Sequence, residues 1–395
     1  MQVCKVKLTN FRNYKSLDVD FDSDISVFYG ENAQGKTNIL EAIYLCSCLR
    51  SHRTSKDIEL ISHDATEFEV VLDYMDDNSI NRNKDNPYIE TISVSYYEAI
   101  TGDINRIRNK RIIKHNGMIL PRMSELMGLF HAVIFAPEDL AMIKDGPAAR
   151  RRFVDILISQ IRSSYFSELA NYNKIIIQRN SLLKQIRDGR VERDYEQLAV
   201  WDIALAQSAS KIIATRIDFT KKIGEIASNY HNSITSGKED IYVKYKTISG
   251  INNKDSVEEI KNKIVIKLKT MFNEDIERGN TTYGPHRDDL EISLDGEGIR
   301  PFASQGQQRT AVLSLKMAEL EIIKSETGDT PVLLLDDVMS ELDAKRRKML
   351  LSSIGNAQIV ITCTDKSHVA QDFLEQTPDR TIRYYNVQNG HVSTV

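Results

Sequence analysis

Two short segments at opposite ends of the chain complete one another. Gly30-Glu31-Asn32-Ala33-Gln34-Gly35-Lys36-Thr37 stands between a strand-like and a helix-like run, and the apolar stretch Val332-Leu333-Leu334-Leu335 ends in two acids, Asp336 and Asp337. The first has the pattern of a phosphate loop: glycines let successive backbone N–H groups wrap phosphate oxygens, Lys36 reaches the outer phosphates, and the Thr37 hydroxyl binds Mg2+. The second supplies the metal's carboxylate at the carboxyl end of a buried strand, where open α/β sheets bind ligands. One nucleotide site whose halves lie this far apart makes most of the chain an insertion between two parts of one sheet. A compact kinase or a small GTPase is excluded.

At 395 residues the chain exceeds what one core usually organises, so two or three lobes are expected. A hydrophobic share of 41% against 27% charged residues belongs to a folded globular chain and not to a disordered one. No apolar run approaches the roughly 20 residues a membrane span needs, and the first residues, Met1 to Leu8, are strand-like and unlike a signal peptide, which predicts a cytoplasmic protein without membrane contact. Cys4, Cys46, Cys48 and Cys363 have neither disulfide-framework nor zinc-ligand spacing and read as scattered thiols. A net charge of −4 argues against indiscriminate polyanion binding, so any nucleic-acid surface must be a local patch.

Alternation of apolar and polar residues predicts strands at the N-terminus and again up to Gly30, then a helix from Lys36 through Cys48. Further strands are expected around 66–74 and 89–98, joined by an exposed Asn/Asp-rich loop from Asp76 to Asn86. After Pro147, which suits a first helical turn, no proline recurs until Pro285, and apolar spacing predicts two long helices turning back at Asp188-Gly189. Strands at 242–245 and 290–294, a helix at 306–325, the strand 332–336, a helix near 343–354 and the strand 359–361 then alternate as in the second half of a nucleotide-binding sheet. The expected domains are 1–145, the first part of an ATPase head; 146–240, a helical arm; and 241–395, the second part of the head.

Ser304-Gln305-Gly306-Gln307-Gln308-Arg309 opens the helix at 306–325 and offers an anion site at its N-terminus; the plain alternative is a Ser304 helix cap. Lys36 already serves the phosphates of one site, so this helix end makes sense against the nucleotide of a second molecule. Gly284-Pro285-His286-Arg287-Asp288-Asp289 reads as a tight polar turn, either functional or an exposed charged loop. Arg106, Arg108, Lys110, Arg111 and Lys114 crowd one stretch without an acid, Arg50, His52, Arg53 and Lys56 follow the first helix, and Arg150 to Arg152 open the arm. Each is a solvated face or a set of phosphate-backbone contacts; the DNA-contact candidates are Arg50, Arg53, Arg106, Arg108, Lys110 and Arg111.

A phosphate loop, a Ser-x-Gly-Gln signature, a Walker B strand with a second acid, and Ser340-Glu341-Leu342-Asp343 form the ordered set of an ABC-type ATPase. Asn10-Phe11-Arg12-Asn13-Tyr14, Gly30-Glu31-Asn32, Gly35-Lys36-Thr37-Asn38, Phe135-Ala136-Pro137-Glu138-Asp139-Leu140, Gly284 to Asp289 and Ser304 to Gln308 resemble the RecF family, of the SMC branch, from end to end. The resemblance implies an α/β, ABC/SMC-type P-loop ATPase head with a mixed β lobe and an inserted arm of a short antiparallel helix pair. It further implies an ATP-dependent homodimer that clamps DNA, duplex or at single-strand/double-strand junctions, and helps load recombinase in repair and replication restart with the RecR and RecO proteins. By carry-over, Gly30 to Asn38 hold ATP, Thr37 and Asp336 hold Mg2+, Asp337 orients the attacking water, and Ser304, Gly306 and Gln307 contact the partner's ATP. Asp337 stands where most ABC-type ATPases have glutamate, and Thr362-Cys363-Thr364 where they have a histidine, which implies slow hydrolysis. A transporter-energising ATPase would hold both Walker motifs in one compact lobe, and a structural tether would need a longer arm and a hinge.

Overall fold

The computed structural model describes residues 1–82, 87–98, 110–365 and 379–394. Contacts gather them into two compact units, residues 1–140 with 312–395, and residues 141–311. The chain therefore does not divide at 145 and 240 as expected. Residues 241–311 belong with the helices because Tyr195–Thr235 packs along the strand Ile241–Lys246 and the helix Val257–Thr270.

The first unit holds a mainly parallel sheet in the order His391–Thr394, Ile382–Gln388, Ile25–Tyr29, Ile359–Cys363, Val332–Asp336, Ala132–Phe135, with only the first strand antiparallel to its neighbour. Its inner strands are apolar without alternation, as strands covered on both faces must be, and Val332–Asp336 and Ile359–Cys363 are buried at every position. The register sets Asp336 beside Thr362, Leu335 beside Phe135, and Cys363 beside Tyr29, so Gly30, Asp336 and Ala136 stand at the carboxyl ends of parallel strands of one sheet. Lys36–Cys48 contacts both this sheet and a second, antiparallel one containing Gln2–Phe11, Tyr14–Asp20, Glu67–Met75 and Glu90–Tyr97. A helix between two sheets has no solvent face, which explains why Ile39, Leu40, Ile43, Leu45 and Cys46 are all buried. The antiparallel strands show the alternation of a one-sided sheet, and the strand Tyr14–Asp20, missed in the sequence, pairs Leu17 with Leu8 and Val19 with Val6. The expected loop after Asp76 starts as a short helix, Asp77–Arg82.

In the second unit three helices replace the expected two. Pro147–Ile161 and Ser163–Arg187 are separated by Arg162 in an extended conformation, and the predicted reversal at Asp188-Gly189 precedes Tyr195–Thr235. The turn at 284–289 is not an exposed loop. The buried Arg216 guanidinium donates to Pro285 O at 2.6 Å and grips Asp155 at 2.9 Å through two nitrogens. Tyr172 Oη meets His286 Nδ1 at 2.6 Å while His286 Nε2 faces Thr281 O at 3.1 Å, which fixes a neutral ring protonated at Nε2; burial lowers its pKa to about 4. Arg150 is bidentate to Asp289 and Arg151 donates to Asp288 O, so these two cations of the arm are committed to the turn. Among the described residues no helix is long and apolar enough to cross a membrane.

Candidate nucleotide and metal site

The phosphate loop runs from the end of one parallel strand into the first turn of Lys36–Cys48. Gly30 at φ 147° and Gly35 at φ 112° hold backbone that L side chains rarely adopt; a Cβ at Gly30 would strike Val387 O, and one at Gly35 would lie 2.5 Å from Asn13 Nδ2. No side chain caps the helix start and no acid sits in its first turn, so amides at the positive end of the dipole are left to an anion. Lys36 donates to Gly30 O at 2.6 Å and Glu31 O at 2.7 Å, and burial lowers its pKa against the pull of Asp337 and Asp336.

Residues flanking the motif hold the loop. Asn13 Nδ2 donates to Gln34 O at 3.0 Å, Tyr14 Oη to Gly35 O at 3.1 Å, Asn38 Nδ2 to Asn13 Oδ1 at 2.7 Å, and the Asn389 amide to Gln34 Oε1 at 2.6 Å. Ala33 takes a left-handed φ of 64°, while Glu31, Asn32 and Ala33 are solvent-exposed. Arg12 makes a bidentate pair, 2.9 and 2.7 Å, with the wholly buried Glu41 of the loop helix, which also accepts from Ser51. Burial pushes the Glu41 carboxyl up, but Arg12 and Ser51 outweigh it and the net shift is downward. Sequence reasoning missed this role of Arg12, although its place between Asn10 and Asn13 in one motif was the available signal.

The two half-sites meet. Thr37 Oγ1 donates to Asp336 Oδ1 at 2.8 Å, and Thr362 Oγ1 donates to the same oxygen at 2.7 Å. Thr362, where a histidine was absent, thus orients the strand-end carboxylate and also accepts from the Asp337 amide at 3.0 Å. Asp337 adopts φ 53°, and the Ser340 hydroxyl donates to its carbonyl at 2.7 Å and reaches its carboxylate at 3.2 Å. The loop at Pro137–Leu140 brings Glu138 to the same place: ligand atoms of His52, Glu138 and Asp336 lie within 4.8 Å of one another. Burial raises the Asp336 carboxyl, and burial together with Asp336 raises that of Glu138. The buried Asp336 carboxylate, with the exposed Glu138 carboxylate facing it and the Thr37 hydroxyl beside it, forms an oxygen donor set whose mutual repulsion a divalent cation would relieve, so the residues fit Mg2+.

Ser304, Gly306 and Gln307, residues of the second unit, open the helix Gln305–Thr327. Ser304 Oγ accepts the Gln307 amide at 3.3 Å and Gln307 Oε1 accepts the Ser304 amide at 2.8 Å, a reciprocal cap, while Gln307 Nε2 holds Glu239 at 3.1 Å.

The basic candidates divide. Arg106 and Arg108 lie outside the described residues, whereas Arg50 and Lys110 are exposed. Arg111 is not a surface cation: it pairs with Asp57, donates to Leu49 O at 2.8 Å and is 11% exposed. Arg53 turns toward the loop helix, donating to Asn38 Oδ1 at 3.0 Å and lying 3.7 Å from Glu41.

Residues 2–393 match the family model "RecF/RecN/SMC N terminal domain". The chain is 46% identical over 366 residues to the DNA replication and repair protein RecF of Acetivibrio thermocellus, covering 93% of this chain and 94% of that one. It is 40% identical to the protein of the same name from Clostridium kluyveri over the full length of both. The solved structure of the recombination mediator protein RecF with ATP, in the RecFOR pathway, superposes with a TM-score of 0.87 at 35% identity, covering 100% of this chain and 97% of that chain. An Smc head domain from Pyrococcus furiosus, at 18% identity and a TM-score of 0.51 over 100% of this chain and 95% of that one, shares the fold alone.

Proposed function

Because the chain belongs to the RecF family of DNA replication and repair proteins, whose ABC-type head it shares and whose binding of ATP its phosphate loop fits, we propose that it is an ATP-dependent DNA clamp of recombinational repair. The observation that carries this reading is the 2.8 Å contact of Thr37 with Asp336, which completes a nucleotide site across the long insertion. Gly30 to Asn38 hold the phosphates of ATP, and Thr37 and Asp336 hold Mg2+, which when bound neutralises phosphate charge. Lys36 positions the outer phosphate, and Asp337, held by Ser340 and the Thr362 hydroxyl, takes the place from which a carboxylate aligns water. The side chain is one methylene shorter than glutamate, which favours slow, DNA-stimulated turnover that times release.

Ser304, Gly306 and Gln307 contact the ATP of a second copy, so ATP joins two chains around duplex DNA or a single-strand/double-strand junction. Arg50 and Lys110 are the phosphate-backbone contacts favoured by their exposure. Work with RecR- and RecO-type proteins and a cytoplasmic location fit the pathway named for the ATP-bound relative. The test is equilibrium binding to duplex DNA with ATP, with ADP and without nucleotide; equal affinities in all three would sink the clamp.

A further inference from the structure

His52 stands at the metal end of the nucleotide site, in the segment that leaves the loop helix. Its Nε2 is 3.9 Å from Asp336 Oδ2, its side chain is 7% exposed, and the Tyr44 ring meets it edge-on at 6.1 Å between centroids. Glu138 completes a triad of one imidazole and two carboxylates whose ligand atoms all fall within 4.8 Å. Two ligands bound to one ion at about 2.1 Å are at most about 4.2 Å apart. The histidine–aspartate spacing is already inside that limit, and Glu138, exposed on a short loop, closes the remainder by rotating its side chain.

We propose that His52 is a direct nitrogen ligand of the divalent ion held by Asp336, with Glu138 as the second carboxylate, so that this head takes Mn2+ in preference to Mg2+. The inference deepens the nucleotide-site reading and rests on it. Mg2+ demands near-ideal octahedral oxygen coordination and gives up water reluctantly, whereas imidazole suits transition ions and carboxylate and phosphate oxygens suit Mn2+. A buried imidazole at the ligand position therefore selects the ion that accepts both donor types. With the Thr37 hydroxyl it also gives the site four protein donors without the nucleotide, so the ion binds ahead of ATP.

Mn2+ spin-echo modulation on the full chain, with Mn2+ alone and with Mn2+ plus ATPγS, tests this directly. The expected result is a 14N modulation from a bound imidazole in both samples, collapsing on [15N]histidine labelling and absent in His52→Gln. The variant's affinity for Mn2+ alone should fall at least about tenfold, since loss even of a ligand's outer partner costs ~10–100-fold. Phosphorus coupling from ATPγS reports separately on the nucleotide. Phosphorus coupling without nitrogen modulation overturns the His52 assignment and leaves the nucleotide site standing; absence of phosphorus coupling overturns the nucleotide reading itself. Nitrogen modulation that survives in His52→Gln also refutes the proposal. If the variant does not fold, the labelling result on the native chain decides.

Discussion

Arg12→Ala leaves Glu41 buried beneath the phosphate loop without its bidentate partner. Removing one member of a buried ion pair costs about 3–5 kcal/mol, and two features of this site lower that figure. Arg12 is 19% exposed, so part of its attraction is already screened, and Ser51 and Arg53, the latter at 3.7 Å, keep some hold on the carboxylate. About 2–4 kcal/mol remains for the first unit. With two compact units a single global transition is not assured, so the measurement is amide hydrogen exchange of peptides spanning residues 25–48. At 1.4 kcal/mol per tenfold, the slowest amides there should exchange about 30- to 700-fold faster. The pH dependence follows from the direction of the shift. Glu41 is held below its ordinary 4.5, so its pairing stabilises the fold above that value and is lost as pH falls through the lower, folded value. In Arg12→Ala burial acts with less opposition and the carboxyl rises, so acid neutralises it in place and the gap to the native protein narrows near pH 4. Adding Glu41→Gln should recover part of the loss. An exchange change under tenfold at pH 7, or a gap that widens in acid, would refute the pair's role in supporting the loop.

The phosphate loop and Val332–Asp336 were legible because each carries its own geometry: glycine where φ is positive, a hydroxyl beside the lysine, and acids after four apolar residues. The strand expected at 359–361 was legible from its apolar run, and it extends to Cys363. What surrounds them was not. Arg12, His52, Glu138 and Thr362 reach the site from four separate segments, and only the register of the parallel strands and the packing of the first helix bring them together. The turn at 284–289 stayed open between two readings because its charges look solvent-directed in sequence, whereas Arg150 and Tyr245, remote in sequence, hold Asp289 and Asp288 and Tyr172 holds His286. The break at Arg162 left no signal either, since neither glycine nor proline marks it.

Asp337→Asn should keep Mg2+–ATP binding, because Asp336 remains, yet lengthen the lifetime of the ATP complex on DNA; dissociation as fast as in the native protein would remove hydrolysis as the timer. Lys110→Glu should lower the salt slope of DNA binding by nearly one unit or more, whereas Arg111→Glu should destabilise the fold through Asp57 and Leu49, and equal behaviour of the two in DNA titrations would refute the division between them. The last expectation concerns Ser304. Its hydroxyl already accepts the Gln307 amide within its own chain, so Ser304→Ala mixes a lost cap of about 1 kcal/mol with any lost phosphate contact. Ser304→Arg separates them: the long side chain obstructs an incoming nucleotide, whereas Lys36, Thr37 and Asp336 of the same chain are unaltered. The native chain should be monomeric alone or with ADP and dimeric with ATPγS, while the variant binds ATPγS and remains a monomer by light scattering after size exclusion. A variant that still dimerises with ATPγS would take the helix end at Ser304 to Gln307 out of the interface.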